Sequence, residues 1–236
     1  RVKRAVAAVL GGGTALTTSA ARPGDSTAKH SNAGDPRTRD LRPGVAVSLA
    51  GQDGSGTADH RVQRLLALRV PAGGAVSPFF TGPNYTATFR GVLRLDRRLR
   101  LQFTLVGTGA AELRIDDRVV VQRAADQDEA TGESIRWKKG DHALQLVYTP
   151  PATGEALLRV EWQSRKFGRE PVPPTALFHA ASPELDAGLA QRRGRELLAK
   201  YQCVQCHAPA DPELVPARRG MPELADTAPS LAGVSA

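Results

Sequence analysis

The feature that most limits the fold of this chain is an alternation of apolar and polar residues that begins near residue 41. In the segment LRLQFTLV, Leu99, Leu101, Phe103 and Leu105 fall on one face of an extended chain. The segments DHALQLVYT and EALLRVEWQ repeat the pattern. Since neighbouring side chains of a strand point to opposite faces, this alternation indicates antiparallel strands with one buried face.

Several more strands are predicted from the same pattern, which gives about eight in succession. Turn signals such as GGAVSP, KKGDH and PPATGE separate them, and no helical pattern intervenes. The sequence therefore predicts a mostly β protein, an antiparallel β-sandwich or barrel. Both cysteines lie outside this region, so its core alone must hold it together. The additional strands are predicted over residues 45–49, 65–70, 86–95, 112–121 and 134–137.

The composition is that of an ordinary globular protein, with 41% hydrophobic and 24% charged residues among 236. The net charge of +8 would suit an acidic partner. However, the arginines are scattered along the chain without the interleaved aromatic residues of a single-strand nucleic-acid binder. This distribution favours a solvated surface and no nucleic-acid partner. The arginines interpreted in this way are Arg61, Arg64, Arg90, Arg94, Arg97, Arg98, Arg165, Arg169, Arg192 and Arg193.

Residues 1–21 have the order of a secretory signal peptide. Three basic residues among the first four precede the uncharged run AVAAVLGGGTAL, and small residues follow. The run is shorter than the ~20 apolar residues that span a bilayer, so no transmembrane segment is predicted. We therefore expect export to the periplasm or cell envelope. Residues 22–40 are polar and contain Pro and Gly, which is typical of a flexible spacer.

A linker and a helix are predicted after the strands. Pro173-Pro174 and the segment HAASPELDAG break the sheet, and residues 180–187 are taken as the linker. The segment AGLAQRRGRELLAKYQ then has the spacing of an amphipathic helix. Its apolar positions are Leu189, Leu197, Leu198 and Tyr201.

At the end of this helix, the two cysteines stand three residues apart and a histidine follows them. Cys203-x-x-Cys206-His207 is the pattern of covalent haem attachment. On a helical turn both thiols can add to vinyl groups on one porphyrin edge, and His207 can bind the iron as axial ligand.

Three alternatives to haem attachment are open. A zinc site would need four ligands, and the sequence has no second cysteine pair. A thioredoxin-like redox pair would lie at the start of a helix, whereas in this chain the predicted helix precedes the motif. Two inert cysteines beside a surface histidine are the third alternative.

The strand region resembles the protective-antigen domain, also called the PA-fourteen domain, over residues 41–179. The resemblance rests on the succession YTATFRGVLRL, AELRIDDRVVV, IRWKKGDHALQLVYTP, ALLRVEWQS and VPPTALFH. It implies a β-sandwich used as an accessory module in bacterial and fungal surface proteins and glycosidases, often for carbohydrate binding or adhesion. The most specific matches are Leu113, Ile115 and Asp116, the turn from Lys139 through Gly140 to His142, Tyr148, Trp162, Pro173, Pro174 and Leu177.

Members of this family that bind sugar usually do so through calcium, held by two Asp residues in the loop before the Leu-x-Ile-Asp strand. In this chain Thr108 and Gly109 stand at that position. Because calcium prefers carboxylate ligands, no calcium-dependent sugar site is expected. Asp116 and Asp117 are interpreted as turn residues. They do not suit a glycosidase pair, because successive strand residues face opposite sides.

Residues 188–236 are similar to the front of a class I cytochrome c domain. The match consists of GRELLAKYQCVQCHAP and the later segment from Pro229 through Leu231 to Gly233. It implies one covalent haem c on the two cysteines, with His207 as its proximal ligand.

The Pro-x-Leu-x-Gly segment carries a further implication of this resemblance. In the family the Pro carbonyl accepts a hydrogen bond from the proximal His, so Pro229 would orient His207. The family's distal Met lies beyond this segment, whereas Met221, the only methionine, precedes it. The cytochrome domain is therefore expected to be partial.

The sequence thus leads to two functional hypotheses. The main one is an exported cytochrome fragment that transfers single electrons to and from redox partner proteins, with the sandwich as an accessory module. The alternative is a cell-surface carbohydrate-binding or adhesion module in which haem is ancillary. No catalytic residues for an organic substrate are predicted, so any enzymatic activity would belong to a larger oxidoreductase.

Overall fold

The computed structural model describes residues 40–52, 58–79 and 84–201. They form two antiparallel β-sheets followed by one α-helix, α1 (Pro183–Lys200), with a 3₁₀ turn at Pro174–Ala176. The predicted signal peptide and all but the last residue of the predicted spacer lie outside the described residues. The strands are β1 (Leu41–Pro43), β2 (Val45–Gly51), β3 (Ala58–Gln63), β4 (Ala67–Val70), β5 (Tyr85–Leu95), β6 (Leu99–Gly107), β7 (Ala110–Ile115), β8 (Arg118–Arg123), β9 (Glu129–Thr131), β10 (Ile135–Trp137), β11 (Gly140–Thr149), β12 (Ala156–Ser164), β13 (Phe167–Pro171) and β14 (Leu177–Ala180).

The two sheets contain eight and six strands. The larger sheet runs in the order β1-β14-β5-β11-β7-β8, and β2 and β3 extend it beside the first half of β5. The smaller sheet runs β10-β6-β12-β13, with β4 beside β12 and β9 beside β6. The predicted mostly β, antiparallel sandwich is therefore confirmed.

The core lies between the sheets and consists of the residues that the alternation selects. On β6, Leu101, Phe103 and Leu105 are at most 1% exposed, and on β11, Leu146 and Tyr148 are fully buried. The region contains no cysteine, so apolar burial is what holds the two layers together.

The described residues contain more strands than the eight predicted. The single strand predicted over residues 112–121 is a hairpin, in which β7 and β8 are joined at Asp116 and Asp117. Both residues have positive φ, 48° and 61°, which is typical of a two-residue type I′ turn. The interpretation of this acidic pair as turn residues is thus confirmed. Strands β1, β3, β9, β13 and β14 escaped prediction because their segments LRP, ADHRVQ, EAT, FGREP and LFHA show no clear alternation of apolar and polar residues.

Helix α1 begins after Ser182, whose side chain accepts a hydrogen bond from the amide of Leu185 and caps the helix. The residues predicted as a linker, 180–187, are the end of β14, the cap and the first turn. The helix packs against β3, where Gly188 is buried so closely that an added Cβ would lie 2.3 Å from the carbonyl oxygen of His60. None of the helices in the described ranges combines the length and apolar character needed to cross a bilayer.

Two arginines interpreted as solvated surface lie instead in this contact. The Arg192 guanidinium forms an ion pair with Asp59, whose side chain is 1% exposed. Arg61 donates to the carbonyl of Val76, and burial, followed by the neighbouring charge of Arg192, lowers the pKa of its guanidinium. The sequence pattern could not show this, because the helix that covers these residues comes more than a hundred positions later.

Candidate functional site

A groove of about 520 Å³ lies on the outer face of the larger sheet, at the point where the start of α1 crosses it. Its floor is formed by β2, β5, β11 and β7, and one end is closed by β14 and the first turn of α1. Val92, only 1% exposed, lines the groove without belonging to the central core. The helix therefore turns part of a solvent-facing sheet surface into a concave site.

The floor carries a row of polar side chains that the strand register brings together. Gln145 on β11 is paired with Arg90 on β5 and with Arg114 on β7. Since neighbouring strands are about 4.8 Å apart, the two arginine backbones stand roughly 10 Å apart with the amide between them. Ser48 and Thr88, also paired, form the next row along the groove.

The two arginines of this row differ in whether an acidic side chain of the protein binds their guanidinium group. Arg114 donates to Glu112 at 2.6 Å on the same strand. Among the residues that the structure describes, no acidic side chain forms an ion pair with Arg90, which is exposed. A guanidinium presents several N–H donors in a plane, which suits carboxylate and paired hydroxyl oxygens.

His179 also lines the closed end of the groove. It is 4% exposed, and its Nδ1 lies 3.2 Å from the carbonyl oxygen of Gly44, to which it can donate. By strand alternation its side chain lies on the same face of β14 as the core residue Leu177, so its role is to join β14 to the chain at Gly44.

The loop that holds calcium in related sugar-binding domains is organised differently. Thr108 Oγ1 donates to the carbonyl of Glu155 at 2.7 Å and accepts from the amide of Leu157 at 3.0 Å. Gly109 has a φ of 74°, and a Cβ there would lie 2.3 Å from the carbonyl oxygen of Thr149. The loop is fixed by backbone and hydroxyl hydrogen bonds, with no carboxylate in either position.

Arg123 places a positive charge against this loop. Its side chain is 1% exposed and donates to the carbonyls of Gly107, Thr108 at 2.6 Å and Gln127 at 2.8 Å. Burial lowers the pKa of the guanidinium, yet arginine remains charged at neutral pH. Backbone oxygens that could serve a metal ion thus already bind a cation of the protein itself.

No group of three His, Cys, Asp or Glu side chains in the described part of the chain is placed to hold a metal ion. Asp116 is used structurally, since its Oδ2 lies 2.6 Å from Nδ1 of His142 and its Oδ1 accepts from the amide of Ala143. The other ring nitrogen of His142 lies 3.0 Å from the carbonyl oxygen of Lys138. These contacts lock the hairpin to β11 and leave no open ligand.

The predicted haem residues lie outside the described residues. The described chain reaches Tyr201, two positions before Cys203, and neither Cys206 nor His207 nor the proposed Pro229 contact is tested. The predicted helix before the motif is confirmed as α1, but the haem site itself stays a prediction.

The groove itself was missed by sequence reasoning. Arg90, Arg114 and Gln145 did carry a signal, since each occupies an outward position in an alternating strand. Arg123 carried one too, because it stands two residues after the buried Val121 and therefore on the inner face. What the sequence lacked was the pairing of the strands.

No family model matches the chain, and no curated protein matches it. Among solved structures, it resembles an anti-sigma factor domain-containing protein from Clostridium clariflavum, with a TM-score of 0.53, 18% identity, and 60% of this chain and 48% of that one covered. A second anti-sigma factor domain-containing protein gives 0.53 and 15%, with 60% and 49% covered. The chain thus spans about half the length of these two proteins.

A third solved structure is a single domain, and this chain covers nearly all of it. It is a PA14 sugar-binding domain from an RTX adhesin, with a TM-score of 0.50, 16% identity, and 58% of this chain and 99% of that domain covered. At such identities the likeness concerns the fold alone. The two-sheet sandwich of this chain is therefore a PA14-like β-sandwich domain, as the resemblance in sequence implied.

Proposed function

We propose that the sandwich is a carbohydrate-binding, adhesin-type module that holds its ligand in the outer groove and needs no calcium. The observation that carries the proposal is the row Arg114, Gln145 and Arg90 on the groove floor. The likeness in fold to a sugar-binding adhesin domain supports the class of ligand. It also agrees with the expectation of an exported protein.

The groups in the groove complement a saccharide. Guanidinium and amide N–H groups donate to ring and hydroxyl oxygens, while the hydroxyls of Ser48 and Thr88 accept from or donate to sugar hydroxyls. Apolar residues between them, such as Ala46 and Ala143, can contact the C–H faces of a sugar ring.

Arg114 is paired with Glu112, and Asp117 and Glu184 also line the groove, so Arg90 is the guanidinium available to a ligand. Because Arg90 has no acidic partner among the described residues, we expect saccharides with a single carboxylate to bind more tightly than neutral ones.

The test is binding of the full chain to an array of neutral and acidic glycans in the presence of EDTA. We expect binding to acidic saccharides that EDTA does not remove. Arg90→Gln should weaken it by about 1.5–3 kcal/mol, or roughly 10- to 100-fold, since a charge-assisted hydrogen bond is lost. The matched control is Arg98→Gln, which alters an exposed arginine in the turn between β5 and β6 and should leave binding unchanged.

Two results would reject this function. One is the absence of any glycan ligand for a chain whose folding is verified by circular dichroism. The other is binding that EDTA abolishes, which would return the sugar site to a metal-dependent loop.

The Cys-x-x-Cys-His motif supports a second function, covalent binding of one haem c and one-electron transfer. The support is the spacing of Cys203, Cys206 and His207, together with a helix that ends just before them. When bound, haem would supply the redox chemistry. The chain would contribute the thiols that anchor it and an imidazole that binds its iron.

Haem attachment is tested by exporting the chain in a host with cytochrome c maturation machinery. We expect haem staining that survives denaturing electrophoresis, because thioether bonds are covalent. Replacing both cysteines with Ala should abolish the stain, and His207→Ala should remove the proximal ligand. A wild-type chain that carries no covalent haem would reject this function and leave the glycan proposal unaffected.

A further inference from the structure

The smaller sheet carries a row of like charges at one end. Arg136 on β10 is paired with Arg100 on β6, and Arg165 stands one position beyond Ser164 of β12, which is paired with Leu101. The row therefore crosses three neighbouring strands, whose backbones are about 4.8 Å apart. All three arginines are exposed. Because like charges directly opposite each other destabilise a sheet, this row costs the fold stability.

The turns beside this row add further basic residues. The turns after β5, β10 and β12 meet at one end of the smaller sheet, because β6 begins where its neighbours β10 and β12 end. Residues 96–100, 136–139 and 164–167 together contain eight basic residues, all exposed, and one acidic residue, Asp96. We call the eight the basic rim: Arg97, Arg98, Arg100, Arg136, Lys138, Lys139, Arg165 and Lys166.

Another part of the same sheet shows how the protein neutralises its charges elsewhere. Arg169 pairs with both Glu129 and Glu161, and Arg159 binds Glu161 at 2.6 Å. In the basic rim, by contrast, only Arg97 forms an ion pair with a described residue, Asp96, at 3.8 Å. The positive charge of the rim is therefore available to a partner outside the domain.

We infer that the basic rim docks the domain onto a bilayer that contains anionic phospholipids. This inference goes beyond both proposed functions and does not depend on either, since no residue of the rim lines the groove or belongs to the haem motif. The three turns come from separate parts of the chain, which is why the arginines looked dispersed in the sequence.

The shape and composition of the rim favour a bilayer over other polyanions. Its residues are exposed on turns and on an outward sheet face, so they meet an extended surface and do not enclose a small anion. The aromatic residues beside them are unsuited to stacking on nucleic-acid bases, because Trp137 is 7% exposed and Phe167 packs against the core. Lysine and arginine side chains near an anionic leaflet each strengthen binding about fivefold.

Docking through the rim would leave the groove accessible. The groove lies on the outer face of the larger sheet, whereas Arg100 and Arg136 alternate with core residues on the smaller sheet and face away from the core. The two surfaces are thus on opposite sides of the sandwich. A domain held on lipid by the rim can bind a second ligand in the groove.

The experiment is co-sedimentation of the full chain with vesicles of phosphatidylcholine and phosphatidylglycerol at an ionic strength of about 0.1 M. We expect the wild type to bind these vesicles and not vesicles of phosphatidylcholine alone. The triple variant Arg100→Gln, Arg136→Gln and Arg165→Gln should lower the partition coefficient at least about 50-fold. At about 1 M ionic strength, where the Debye length is about 3 Å, wild-type binding should be lost.

Stability and charge are controlled separately. The triple glutamine variant removes like charges that face one another, so its urea-unfolding midpoint should equal or exceed that of the wild type. Lysine at the same three positions keeps the charge and should keep vesicle binding within about threefold. The matched control, Arg64→Gln with Arg193→Gln and Lys200→Gln, removes three exposed charges outside the rim and should weaken binding less than about fivefold.

Three results would overturn the inference. The first is a wild type that does not bind phosphatidylglycerol vesicles. The second is an equal loss of binding in the two triple glutamine variants, which would assign the attraction to net charge and not to the rim. The third is rim-dependent binding of duplex DNA that is tighter than vesicle binding at the same ionic strength, which would make the partner a nucleic acid.

Discussion

Arg123 and Arg90 both belong to the larger sheet, yet their surroundings are opposite. Arg123 is buried and donates hydrogen bonds to three backbone carbonyls. Arg90 lines the groove, is exposed, and has no acidic partner among the described residues. A guanidinium whose terminal nitrogens bind backbone carbonyls, as those of Arg123 do, contributes to stability, although its buried Nε has no partner within the described ranges. One whose donors face a concave surface can bind a ligand. Charge alone therefore does not mark a functional residue; unused hydrogen-bonding capacity does.

The largest effect is expected from Arg123→Met. The substitution leaves the carbonyls of Gly107, Thr108 and Gln127 without their donor; Gly107 is buried, Thr108 half-buried and Gln127 exposed. Because a buried unsatisfied polar group costs about 1–3 kcal/mol, the free energy of unfolding should fall by about 1–3 kcal/mol. Urea unfolding followed by tryptophan fluorescence measures this. Arg90→Met, the control, should stay within about 0.5 kcal/mol of the wild type; equal losses at the two positions would break the comparison.

For ligand affinity we expect the opposite order: replacing Arg90 with lysine should have the larger effect, and replacing Arg123 with lysine the smaller one. Arg90→Lys keeps the charge but loses the planar donors, so glycan affinity should fall by roughly tenfold with unchanged stability. Arg123→Lys should lower stability and leave the affinity of the folded protein unchanged. Titration calorimetry and urea unfolding on both variants separate the two effects. If Arg123→Lys lowered affinity as much as Arg90→Lys, the loop of Thr108 and Gly109 would belong to the ligand site.

A third arginine, Arg94, lies between these extremes and predicts a small pH effect. It forms two hydrogen bonds with Asp141, at 2.7 and 2.8 Å, which hold the pKa of that carboxyl below its ordinary value of 3.8. A lowered carboxyl pKa stabilises the folded state above pH 3.8, and this stabilisation is lost as the pH falls from there through the folded-state pKa. Because the pair is largely exposed, we expect less than about 1 kcal/mol.

Asp141→Asn tests this assignment. The variant should be slightly less stable than the wild type at pH 7, and the difference should shrink as the solution is acidified below pH 3.8. Urea unfolding between pH 2.5 and pH 7, at pH steps of about 0.5, measures both. Asp96→Asn, at an exposed turn residue, serves as control. A difference that stays constant with pH would show that the carboxyl charge is not its cause.

No effect at all is expected from calcium. With Arg123 bound to the carbonyls of the loop and no carboxylate at Thr108 or Gly109, millimolar calcium should not change the unfolding temperature of the wild type. Binding to the folded state would raise it by mass action. Differential scanning fluorimetry with calcium and with EDTA provides the measurement. A reproducible rise that EDTA reverses would contradict the assignment of Arg123 as the cation that occupies this loop.

The sequence by itself determined the inner faces of the sandwich and helix α1, while the hairpin formed by β7 and β8 was predicted as a single strand. The first two are local patterns, since a period of two or a helical spacing is complete within ten residues. The same holds for the prediction of haem attachment at Cys203, Cys206 and His207, which depends on spacing alone and stays a prediction.

Only the tertiary structure decided which outward side chains meet. Arg90, Arg114 and Gln145 come from three strands, and their row exists because β11 pairs with both β5 and β7. The groove exists because α1, far along the chain, folds back over β3. In the same way, the sequence does not distinguish Arg123 from the other basic residues. Its guanidinium meets the carbonyls of Gly107 and Thr108 because of where β8 lies in the fold. Strand pairing and helix docking bring together residues that are remote in sequence. The local pattern of a sequence does not show which of these remote residues will come into contact.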